Sequence, residues 1–151
     1  MLRFLALLLV ALAAPLAAAA APPPVVADEA GVAIGGYDAV AYHREGRAVA
    51  GSAGFAYRWR GAEWRFASAA ARDAFAADPE AFAPAYGGWC AFAMSEDRLA
   101  AGDPAVWRVV GGRLFLNCSA AAQRRWEADL AANIARGDAN WARRAATDDG
   151  E

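Results

Sequence analysis

The chain has 151 residues, with 15 basic and 17 acidic side chains and a formal charge of −2. That length suits one domain, and that balance excludes nucleic acid as a default partner. Every basic residue is an arginine and the arginines are spread along the chain, so no phosphate-binding patch stands out.

The first 21 residues read as a signal peptide. Arg3 supplies a positive start, FLALLLVALA an apolar core, and the alanine run to Ala21 small-residue cleavage sites. Pro15 interrupts the apolar run, which is short for a membrane span. A retained anchor is the alternative. No cysteine follows the apolar run to take a lipid. The expectation is therefore export to the periplasm or outside the cell, with no membrane contact once the leader is cleaved. In such an oxidising compartment the two cysteines, Cys90 and Cys118, can form one disulfide.

Residues 22–33 open on Pro22-Pro23-Pro24 and read as a semi-rigid linker. The domain is expected over 34–142, with a disordered acidic tail at 143–151. GYDAVAYHREGRAVAGS reads as a short extended segment, a turn and a second short strand. Phe55 to Phe66 is the strongest hairpin pattern. Phe55, Tyr57 and Trp59 share one face, and Trp64 and Phe66 share a face on the returning strand. A two-residue Gly61-Ala62 turn would set Arg60 opposite Glu63. Ser68 is placed to cap a helix to about Ala76, and Asp78-Pro79 to start a second, short one before Pro84. Tyr86-Gly87-Gly88 follows, and Trp89 to Met94 fits either a short helix or a strand. A second hairpin is expected around Gly111-Gly112, whose glycines suit a type I′ turn, with Trp107 and Val109 on one face. On its return strand either Leu114 and Leu116 or Arg113 and Phe115 face inward. Ser119 then caps the longest helix, to about Arg136, with Trp126, Leu130 and Ile134 as its buried stripe and Gly137 as its end. The fold class is α+β: one small domain of two antiparallel hairpins, short helices between them and a long C-terminal helix.

In FASAAARDAFAADPEAFAPAYGGWCA, with GYDAVAY upstream and GDPAVWRVVGGRLFLN and WEADLAANIARGDANW downstream, the chain resembles the YHS domain family. The resemblance is closest to exported single-domain members and covers most of the mature protein. It implies metal binding, because YHS domains also occur in heavy-metal transporting ATPases and some phenol hydroxylases. Metal-associated relatives carry cysteines in D-P-V-C-G-M and in F-C-S-x-x-C-x-x-x-F. Here the second pattern falls on Phe66, Ala67, Ser68, Ala71 and Phe75, and D-P-V-C falls on Asp38, Ala39, Val40 and Ala41. All three thiol positions are alanine, so a thiolate site cannot be carried over to them.

Four side chains remain for chemistry. His43, Cys90 and Met94 would together suit copper or another transition metal. The bland alternative is that Cys90 and Met94 are core residues and His43 lies on a turn. A Cys90–Cys118 disulfide competes with the metal, since an oxidised sulfur is no thiolate ligand. It would close a loop of about 28 residues, for which chain entropy gives roughly 3–4 kcal/mol. Catalysis is not expected. The single histidine leaves no base for a triad other than His43, no serine sits in an elbow motif, and Asp78 and Glu80 are explained by capping and solvation. Haem on His43 and Met94, lacking an attachment motif, and a redox role for cysteines without C-x-x-C spacing are weaker readings. Two functions stay open: a non-catalytic metal- or small-ligand-binding module, and a structural or partner-binding domain closed by a disulfide.

Overall fold

A computed structural model describes residues 23–146. The expected leader and the end of the tail, from Thr147, lie outside them. The architecture is α+β. Strands β1 (Ser52–Trp59) and β2 (Ala62–Phe66) form one antiparallel hairpin, and β3 (Asp103–Val110) and β4 (Arg113–Asn117) form another. Six helices surround them: α1 (Ala39–Arg44), α2 (Ala69–Ala77), α3 (Pro79–Phe82), α4 (Ala91–Ser95), α5 (Ala120–Ala128) and α6 (Leu130–Ala146).

These elements are one unit used twice. Both hairpins consist of an eight-residue and a five-residue strand, and each is followed by a nine-residue helix. Ser68 accepts from the Ala71 N–H, and Ser119, 51 residues on, accepts from the Ala122 N–H. Each unit is preceded by an X-Gly-Gly turn in which all three residues have positive φ, Ile34-Gly35-Gly36 and Tyr86-Gly87-Gly88. A short helix then follows, α1 or α4. The same backbone contacts recur: Gly51 N–H donates to the Gly36 carbonyl, and Gly102 N–H to that of Gly88. The last helix breaks the likeness, because the four residues of α3 correspond to the seventeen of α6.

Two apolar clusters make the core. Val40, Tyr42, Trp64, Phe66, Phe75, Leu114 and Leu116 build the first; Tyr86, Met94, Phe115 and Trp126 build the second. Strand β4 divides them. Leu114 and Leu116 face one cluster and Phe115 the other, so the leucine face is buried as one expectation had it, while of the other pair Phe115 is buried and Arg113 exposed.

Four local expectations are corrected. The segment at Ala39–Arg44 is helical, because Asp38 caps it by accepting from the Val40 and Ala41 N–H groups. The first hairpin turns at Arg60-Gly61, both with positive φ, so Arg58 and not Arg60 stands opposite Glu63. The stretch expected as a linker is tied to the body: Val25 and Val32 are buried, and the Val26 N–H donates to the Gly87 carbonyl. The long helix from Ser119 is two helices, parted at Asp129 (φ −142°, ψ 63°). Gly137 lies inside α6, which continues to Ala146. It is there for space, since a Cβ at this position would sit 2.6 Å from the Tyr86 hydroxyl.

Asp38 is 1% exposed, and its second oxygen accepts from the Ala67 N–H beyond β2 at 2.9 Å. One carboxylate thus satisfies three backbone donors, two of them buried. Asp38→Ala strands all of them, so the expected loss is more than about 2 kcal/mol, read as a lowered urea midpoint.

Candidate functional site

Cys90 immediately precedes α4 and is fully buried beside Ala93 and Ala122. Its thiol donates to the Asn117 Oδ1 at 3.7 Å, and its sulfur accepts the Cys118 backbone N–H at 3.2 Å. Both cysteines are free, Cys90 buried and Cys118 exposed. Burial pushes the Cys90 thiol above its ordinary range; the Ala93 N–H opposes this and the neighbouring Cys118 thiol adds to it. Cys90 is therefore a protonated, poorly nucleophilic thiol near neutral pH.

Sequence reasoning missed Asn117. It is fully buried at the end of β4, and its Oδ1 also accepts the Phe92 N–H at 3.0 Å, tying β4 to the start of α4. Its Nδ2 is buried without a partner. The available signal was an amide closing the apolar run Leu114-Phe115-Leu116. Also missed was the repeat, legible in GGYDAVAY against GGWCAFAM and in ASAAA against CSAAA. It sets Cys90 in the place of Asp38 and Cys118 in the place of Ala67.

The other two candidates have different surroundings. His43 is part-buried on α1, its ring edge-on to Phe82 at 5.6 Å between centroids and its Nε2 3.2 Å from the Phe82 carbonyl oxygen. Burial holds its imidazole below the usual range, with the Phe82 carbonyl opposing. Met94 is fully buried in the second cluster with Phe115 and Trp126, whereas Cys90 packs against Ala93 and Ala122. The three side chains expected as ligands thus face separate neighbourhoods. Among the described residues no group of three His, Cys, Asp or Glu side chains is arranged to hold a metal ion.

A cleft of about 220 Å³ opens beside α1 and α2. Asp38, Ala41, Ala67, Ser68 and Ala71 are among its lining residues. The three alanines that fall on thiol positions of the sequence pattern thus converge in space. Their methyl groups offer no ligand atom.

The chain matches no family model, no curated protein and no solved structure. Among the described residues no helix is long and apolar enough to cross a membrane.

Under reducing conditions the two thiols should react very differently. Iodoacetamide near pH 8 is expected to label Cys118 at least about tenfold faster than Cys90, whose raised pKa leaves little thiolate. Labelling of Cys90 should climb as the pH rises further, as read by peptide mass analysis.

Proposed function

We propose that the chain is an exported, non-catalytic domain of YHS type that serves as a structural or partner-binding unit, with Cys90 and Cys118 joined by a disulfide. The observation that carries this reading is the 3.2 Å approach of the Cys118 N–H to the Cys90 sulfur across 28 residues of sequence. It brings together two residues of which one has an exposed thiol, able to meet an oxidant, and the other a buried sulfur. Oxidation would remove two thiols and two protons and form one S–S bond, the electrons going to the thiol oxidants of an export compartment.

The YHS reading is supported by the convergence of Ala41, Ala67 and Ala71 on one cleft. Ala41 comes to the same cleft as Ala67 and Ala71, which stand four residues apart, and all three fall on positions matched through the family's cysteine patterns. Each carries a methyl group here, so the scaffold reading stands without the metal.

The competing reading places copper or another transition metal on Cys90, with His43 and Met94 as helpers. It would need the Cys90 thiolate, which burial disfavours, and a movement bringing His43 away from Phe82.

The test is a free-thiol count under denaturing, non-reducing conditions, with elemental analysis of the same sample purified from the export compartment. The expected result is no free thiol and no stoichiometric metal. Two free thiols with bound copper or zinc, lost in Cys90→Ala, would overturn the proposal in favour of the metal.

A further inference from the structure

A second cleft with a chemically distinctive lining lies away from both cysteines, between the turn of the first hairpin and that of the second. It has a volume of about 430 Å³, within the range of roughly 300–1,000 Å³ typical of small-molecule sites. The half-buried Trp59 and Trp141 and the buried Tyr86 are among its lining residues, together with two ion pairs, Arg60–Glu80 and Arg113–Asp138.

The two ion pairs differ in stiffness. Arg113 grips Asp138 through both terminal nitrogens, at 2.8 and 3.0 Å. Asp138 also accepts the Tyr86 hydroxyl at 2.9 Å, and Arg113 lies over the Phe115 ring. This pair is a fixed wall. Arg60 also lies over a ring, that of Trp59 at 4.4 Å, but it meets Glu80 through a single contact at 2.6 Å, and Glu80 is 70% exposed against 43% for Asp138. An exposed pair of that kind holds weakly.

Tyr86 (φ 59°) and Arg60 (φ 48°) both line the cleft, each held in the left-handed region by a turn of the fold, the X-Gly-Gly turn and the turn of the first hairpin. Gly87, also in the lining, is packed so closely that a Cβ would stand 1.9 Å from the Pro24 carbonyl oxygen.

The charges of the two pairs cancel. A ligand with one net charge would have to leave a cleft carboxylate or guanidinium unmatched, whereas a zwitterion need not. When the Arg60–Glu80 pair opens, it presents one guanidinium and one carboxylate side by side. A guanidinium takes a carboxylate in a two-pronged grip, and a carboxylate takes an ammonium group. The part-exposed Trp59 and Trp141 rings offer an apolar surface for a flat side chain, with the buried Tyr86 behind them. We propose that this cleft binds a free amino acid with an aromatic side chain, its carboxylate on Arg60, its ammonium on Glu80 and its ring against Trp59 and Trp141. The inference is independent of the state of Cys90 and Cys118 and of the family reading.

The test is calorimetric titration of the full exported chain with phenylalanine, N-acetylphenylalanine and phenylalanine amide. Phenylalanine is expected to bind, and each analogue lacking one charge to bind at least about tenfold more weakly. Arg60→Ala and Glu80→Ala should each remove binding while the far-ultraviolet circular dichroism and urea midpoint stay unchanged, since both side chains are exposed. No heat with phenylalanine at millimolar concentration would overturn the proposal. So would equal binding of all three compounds, or binding untouched by either substitution.

Discussion

Each half of this molecule must hold a short helix against the end of a hairpin, and each does so through the side chain just before that helix. In the first half Asp38 reaches the Val40 and Ala41 N–H groups of α1 and the Ala67 N–H beyond β2. In the second half Cys90 stands at the same point and its sulfur receives the Cys118 N–H. The geometry is shared and the chemistry is not. A carboxylate is a strong acceptor with room for several donors, whereas a thiol is a weak one. Asn117 supplies part of the difference by accepting the Phe92 N–H of α4. A covalent bond between residues 90 and 118 would supply the rest, and the second half would then be closed by a bond where the first is closed by a charge.

The repeat also explains how a small chain builds a core. Each hairpin presents an aromatic face to the helix that follows it: Trp64 and Phe66 pack on Phe75, and Phe115 packs on Trp126. Joining the halves buries Leu114, Phe115 and Leu116 of β4 from both sides, the leucines in one cluster and Phe115 in the other. The long α6 is the one large departure from the repeat. It passes close enough to Tyr86 to require glycine at 137, and it brings Asp138 and Trp141 to the cleft between the hairpin turns. The extra helix thereby gives the second half a feature for which the first has no counterpart.

Much of this was legible in the sequence, and the reasons are local. Ser68, Asp78 and Ser119 cap helices because their oxygens meet amides three residues on, and such short-range chemistry is legible without tertiary context. Alternating rings mark the first hairpin for the same reason, and Gly111-Gly112 marks the second. The helix at Ala39–Arg44 was not legible as one, because its six residues form only under the hold of Asp38, whose third partner lies 29 residues away. Gly137 was read as a terminator because glycine ends helices more often than it makes room for a ring. At the candidate site, the nearness of Cys90 and Cys118 is one of two alternatives the sequence leaves open. Asn117 and the cleft between the hairpin turns depend on long-range packing that spacing alone does not encode.

The account rests most directly on covalent closure of the second half. The decisive measurement is urea unfolding of the protein, purified under oxidising conditions, with and without a reductant. A disulfide across 28 residues predicts a loss of roughly 3 kcal/mol on reduction, with the reduced protein matching a Cys90→Ala, Cys118→Ala double variant to within about 1 kcal/mol. Superimposable curves with and without reductant would contradict it, and would leave the Cys90 sulfur as a core atom and nothing more.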